Sequence, residues 1–120
     1  MTVEVSIPPA GSIFYAPTNI QVVAFVTMAG AQAGDSVQVD FFANSNKLGS
    51  VKSKWHDAVF PPKNPHQAQY MHVLPAGFDP MQVIWKKAPP GDYALTARVS
   101  SASGVSVVSQ PVKITVLPSP

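Results

Sequence analysis

Three histidines, two aspartates and four large aromatic side chains fall within residues 53–80, so the search for chemistry starts there. His56, His66 and His72 are all the histidines in the protein. Three imidazoles can hold a transition metal, but spacings of ten and six residues match no compact ligand pattern, and Asp57 is the only carboxylate close to His56. Asp57 and Asp79 are the one conceivable acid pair for glycoside hydrolysis, which needs two carboxyl groups placed across a cleft. Solvated loop positions account for them more simply. No Gly-x-Ser-x-Gly elbow and no phosphate-cradling glycine loop occurs, and with no cysteine there is no thiolate nucleophile. The expectation is a protein that is not an enzyme and carries neither metal nor cofactor.

The aromatic residues of the same stretch, Trp55, Phe60, Tyr70 and Phe78, admit two readings. In the first they form a packed cap, folded over an open end of the core or over the apolar positions Val23 and Phe25, because exposed rings are costly at about 25 cal/mol per Å2. In the second they form a ligand platform. Exposed Trp and Tyr faces stack on sugar rings or on partner side chains, and Lys63, Asn64, Gln67 and Gln69 offer polar contacts beside them. Five prolines in the stretch favour a preformed surface, since they lower the ordering entropy lost on binding. Any ligand is therefore expected to contact this segment, with Trp55, Phe60, His66 and Tyr70 as the candidate binding residues. Carbohydrate and protein ligands use the same residue types, so both stay open.

The elements that must position this stretch are strands. Thirteen prolines and seven glycines spread along 120 residues break the chain into short extended pieces. In Gly91–Val99 a turn-forming Gly-Asp precedes Tyr93, Leu95, Ala97 and Val99 on one face and Ala94, Thr96 and Arg98 on the other. A tyrosine at the head of such a strand predicts a tyrosine corner, its ring at the core edge and its hydroxyl bonded back to the nearby backbone. Similar alternation marks strands at Val3–Ile7, Ser12–Tyr15, Ile20–Met28, Val37–Asn44 with a tight turn into Lys47–Val51, Met81–Lys87 and Val105–Val116, the last with a break at Pro111. The pattern predicts an all-β, immunoglobulin-like antiparallel sandwich of about seven strands, one domain over residues 1–120. Residues 53–80 are its long insertion loop and 117–120 the start of a linker. Its predicted core is Val22, Val26, Val37, Val39, Phe41, Trp85, Tyr93, Leu95, Ala97 and Ile114.

Charge narrows the partners. Only 12% of residues are charged, about half the usual share, and the net charge of +2 arises from scattered groups. Lys52 with Lys54 and Lys86 with Lys87 are local pairs and not a phosphate-tracking stripe, so no nucleic acid is expected. No apolar run approaches the roughly 20 residues of a membrane span. The low charge, the many Ser, Thr, Gln and Val residues and a strand that starts almost at Met1 point to a module cut from a longer exported chain, its signal lying upstream. As an isolated domain it is expected to be a monomer.

The segments, taken in order, resemble the bacterial immunoglobulin-like domains that occur as tandem modules in secreted multidomain bacterial proteins. The resemblance rests on Pro9-Ala10-Gly11-Ser12-Ile13-Phe14 with Ala16-Pro17, on Val37–Asn44 running to Leu48-Gly49, on Trp85, on Gly91–Ala97 and on Ser109–Val116, about three quarters of the chain. It implies a non-catalytic spacer or interaction module, extracellular or at the cell surface, whose partners are neighbouring domains and a protein or polysaccharide. The alternative is a carbohydrate-binding module working through the aromatic insertion. Two departures matter. Related domains often carry acidic residues in the loops that here read Ala29–Asp35 and Ser100–Gly104, and a single aspartate cannot supply a calcium site. Residues 53–80 also exceed the length the resemblance implies.

Overall fold

Among the described residues the alternation becomes nine strands in two sheets. The computed structural model describes residues 1–30, 34–55, 77–78 and 80–119. Among them the strands are β1 (Thr2–Ile7), β2 (Ile13–Tyr15), β3 (Thr18–Thr27), β4 (Ser36–Ala43), β5 (Asn46–Lys54), β6 (Met81–Ala88), β7 (Gly91–Ser101), β8 (Ser106–Val108) and β9 (Val112–Leu117). One sheet has the order β1-β3-β6; the other runs β2-β9-β7-β4-β5, with β8 also paired to β7. Every pair is antiparallel except β2–β9, which is parallel. No helix long and apolar enough to cross a membrane occurs among the described residues.

The architecture is the expected immunoglobulin-like sandwich; the short piece expected at Ser12–Tyr15 is a strand, and the division of the last expected strand brings the count among the described residues to nine. Pro8 and Pro9 end β1, and the chain then crosses to the other sheet as the three-residue β2. The single strand expected over Val105–Val116 is two. Its first part pairs with Arg98–Ser100 and its second with Gly91–Leu95 of the same β7. Between them Ser109 is buried, its Oγ accepting from the Ala97 N–H (2.9 Å) and its own N–H donating to the Ala97 carbonyl (2.8 Å). Pro111 has no N–H to give, so the ladder shifts at this point.

Strand alternation delivers the core. Val37, Val39, Phe41 and Ala43 of β4 lie beside Leu95, Ala97 and Val99 of β7, and the other sheet closes over them with Val3, Val5, Ile20, Val22, Ala24, Val26 and Met81. Eight of the ten expected core residues are buried; Trp85 and Tyr93 are half-buried and pack against the same cluster. Along one edge β5 approaches β6 so closely that a Cβ on Gly49 would sit 3.1 Å from Val83 Cγ1. On the outer face of the small sheet Val23 is buried between its register partners Ile7 and Gln82, whereas Phe25 and Ile84 stay nearly half exposed.

The tyrosine corner is present. Tyr93 Oη donates to the Pro89 carbonyl at 2.8 Å, and its ring meets Trp85 edge-on with centroids 4.7 Å apart. The hydroxyl fixes how the β6–β7 turn enters β7, and its role is structural. Tyr93→Phe should keep the fold and lose on the order of 1 kcal/mol, the net worth of one hydrogen bond. A denaturant midpoint unchanged from the parent would remove the corner from the stability account.

Candidate functional site

On the described surface, polar or aromatic side chains gather at the root of the insertion, on the outer face of the large sheet and at the opposite end of the sandwich. The first is the root of the insertion. The backbone of Trp55 is tied to the β3–β4 connection, its N–H donating to the Asp35 carbonyl at 2.7 Å while its own carbonyl accepts from the Gly34 N–H at 3.4 Å. Its ring meets the buried Phe78 edge-on with centroids 5.3 Å apart, and both pack against the core. Of the four candidate binding residues, Trp55 is thus half-buried at the sandwich end. Phe60, His66 and Tyr70 lie outside the described residues, as do His56, His72, Asp57 and Asp79.

The second place is a polar cluster on the outer face of the large sheet, centred on Asp40. Val39 and Phe41 point inward, so Asp40 points outward between them, yet it is only 4% exposed. The register brings Ser50 of β5 and Arg98 of β7 to either side of it. Ser50 Oγ donates to Asp40 Oδ1 at 2.6 Å and Gln38 Nε2 to the same oxygen at 3.0 Å. Arg98 Nη2 donates to Oδ2 at 3.2 Å, and Lys47 Nζ lies 3.4 Å from Oδ1. The Arg98 guanidinium also lies 5.6 Å from the centroid of the Phe42 ring, within cation–π range. Burial by itself pushes the Asp40 carboxyl up. The hydrogen bonds from Ser50, Gln38 and Arg98 and the charge of Lys47 outweigh that and hold it well below the ordinary carboxylate range. A carboxylate fixed as an anion with both oxygens occupied does not exchange protons near neutral pH; it pins three strands together.

The third place is an open cleft of about 500 Å3 at the opposite end of the sandwich, lined by Asn44, Asp92, Tyr93, Lys113 and Thr115 among others. Asn44 begins the two-residue link between β4 and β5 with φ of 54°, a left-handed conformation asparagine tolerates. Its Oδ1 accepts from the Ala94 N–H at 3.0 Å, and Thr115 Oγ1 donates to Asp92 Oδ1 at 3.0 Å. These groups staple the hairpin tip and β9 to β7. The two loops considered for calcium do approach each other, with Gly34, Asp35 and Ser101–Ser103 lining a cleft of about 280 Å3. Among the described residues no three His, Cys, Asp or Glu side chains gather there or elsewhere to share a metal ion.

Sequence reasoning singled out neither Asp40 nor its partners. The available signal was an aspartate at the centre of a β4 segment otherwise bounded by Val39, Phe41 and Phe42, with an arginine at a matching outward position of the tyrosine strand.

No known protein family matches this sequence, and no curated protein does either. Solved structures do. The chain superposes on the fibronectin(III)-like modules of Clostridium thermocellum CbhA with a TM-score of 0.59 at 17% identity, covering 97% of this chain and 96% of that one. It is similar also to a CARDB domain from Pyrococcus furiosus solved in complex with di-metal ions, with a TM-score of 0.63 at 14% identity, covering 98% and 92% of the two chains. A solution structure of the same archaeal domain gives a TM-score of 0.60 at 14% identity, covering 97% and 93%. Topology and likeness agree: the chain has an immunoglobulin-like fold.

Proposed function

We propose that this chain is a non-catalytic spacer or interaction module of a secreted or cell-surface bacterial multidomain protein, of the bacterial immunoglobulin-like kind. The observation that carries the reading is where the two ends of the domain lie. Thr2 pairs with Thr27 at one pole, beside the β3–β4 connection. At the other pole Leu117 pairs with Tyr15, and Val116 with Gly91, next to the turn that joins β6 and β7. A chain entering at one pole and leaving at the other runs the length of the sandwich, about 30 Å along the ten residues of β3. That is the geometry of a bead on a string. The polar clusters support the same reading, because Asp40, Asn44, Tyr93 and Thr115 spend their hydrogen bonds on holding strands in place.

Two copies joined through residues 117–120 test it. Small-angle scattering should give an elongated particle whose maximum dimension exceeds that of one copy by about 30 Å. A compact pair packed side by side would overturn the spacer reading.

A further inference from the structure

We infer that the outer face of the large sheet, at the end away from the Asn44 hairpin tip, binds an acidic polysaccharide through a cross-strand row of hydroxyl, amide and ammonium groups. Register sets out the row. Lys52 of β5 is opposite Gln38 of β4, Gln38 is opposite Ser100 of β7, and Ser100 is opposite Ser106 of β8. Val37, Val39 and Val99 are buried in the core, so all four of these side chains face outward. At strand spacings of about 4.8 Å the row runs roughly 14 Å across the sheet. Lys54 and Ser36 stand opposite each other beside it. Ser36, Gln38, Lys52 and Ser100 line a shallow depression of about 310 Å3.

The chemistry of this row differs from that of the cluster next to it. Asp40, Ser50, Arg98 and Lys47 satisfy one another. Among the described residues, Lys52, Lys54, Ser36 and Ser100 have no side-chain hydrogen bond or ion pair, and the Gln38 amide gives its N–H to Asp40 and keeps its carbonyl oxygen to accept. Hydroxyls that donate and accept, a spare carbonyl and two spare ammonium groups complement a ligand with many hydroxyls and periodic negative charge. Of the neighbouring carboxylates, Asp40 is neutralised by Arg98 and Lys47, Asp35 sits on the loop before β4 with a partner of its own, and Asp92 is bonded to Thr115 at the far end of the face. The formal charges on the row itself and beside it are the ammonium groups of Lys52 and Lys54.

Other occupants fit less well. A protein interface is centred on buried aromatic or aliphatic anchors, and the row contains none. A neutral glycan is held chiefly by stacking on exposed rings; Trp55, next to Lys54, packs its ring against Phe78 and the core, and Phe42, further along β4, is half-buried beside Arg98. Nucleic acid needs several free cations along a backbone track, where the row supplies two, Lys52 and Lys54. A polysaccharide of uronic acid units uses both the hydroxyls and the cations.

The test is affinity electrophoresis of the whole chain in gels cast with polygalacturonate, dextran or polyglutamate. Polygalacturonate should retard the protein in a way that fades with added salt, while dextran and polyglutamate leave its mobility unchanged. The pair Lys52→Gln and Lys54→Gln should weaken the retardation about tenfold, and Ser100→Val should weaken it severalfold, with melting temperatures near the parent's because all three side chains lie on the surface. No retardation by polygalacturonate would overturn the site. Equal retardation by polyglutamate, or loss in the lysine pair with none in Ser100→Val, would reduce it to unspecific charge attraction and overturn the polysaccharide. Retardation by dextran that survives the lysine pair would place glycan binding elsewhere and overturn the row as its site. None of these readouts depends on a neighbouring domain, so they stand or fall separately from the spacer geometry.

Discussion

Phe41→Ala should cost about 3–5 kcal/mol and leave the domain at the margin of folding. Phe41 is completely buried, the largest of the fully enclosed side chains, and sits at the centre of the β4 inner face with Val39 and Ala43 on either side. Its register partner is Ala97 on β7 and its other partner is Gly49 on β5. Neither has a side chain that could reach into the vacated space, so the cavity cannot close by local relaxation. Gly49 is also where β5 approaches Val83 of β6, which ties the cavity to the closure of the sandwich edge. Leu95→Ala, also fully buried, should follow with about 2–5 kcal/mol. Urea titration by tryptophan fluorescence measures both, because Trp85 packs against the same cluster. A loss below about 1 kcal/mol at Phe41 would show that the sheets can collapse onto the gap, contrary to the packing described.

Asp40→Asn should cost about 1–3 kcal/mol at pH 7, a large effect for a residue on the outer face of a sheet. The amide can still accept from Ser50, but it removes the charge that holds Arg98 and Lys47 and can place a donor against theirs. Both cations are about half exposed, so they return to water when released, and the loss stays below that of stranding a buried charge. The pH dependence has a definite sign. The folded-state pKa of Asp40 is depressed, whereas the unfolded chain has the ordinary value near 3.9. The carboxylate therefore contributes its full stabilisation above about pH 4, and the contribution is lost as pH falls below that and approaches the folded value. Parent and variant should differ most at neutral pH and converge on acidification. A gap between them that stays constant from pH 7 to pH 2 would mean that the charge of Asp40 contributes nothing.

How much of this is legible in the residues depends on range. The strands, their faces and their turns come from neighbours within a few positions. Tyr93, Leu95, Ala97 and Val99 alternate with Ala94, Thr96 and Arg98, and that alone assigns one set to the core and the other to the outside. Pro89-Pro90 and the Asn44–Ser45 pair make the turns, while the Gly-Asp expected to turn already lies in the β7 ladder, and a corner tyrosine bonds to a carbonyl only four residues upstream. Hence the sandwich, eight of its core residues and the corner follow from the order of residues alone.

What only the tertiary structure decided involves residues far apart in sequence. Asp40 and Gln38 alternate outward on the same strand, and nothing local separates them. Burial falls on Asp40 because register brings Ser50 from ten positions away and Arg98 from fifty-eight. The division of Val105–Val116 follows from the same cause, since β8 and β9 pair with different parts of one strand around the kink at Ser109. So does the outward-facing row of Lys52, Gln38, Ser100 and Ser106, which four strands contribute and no sequence window contains. Period-two patterning states which way a side chain points, but only strand order and register state what stands beside it.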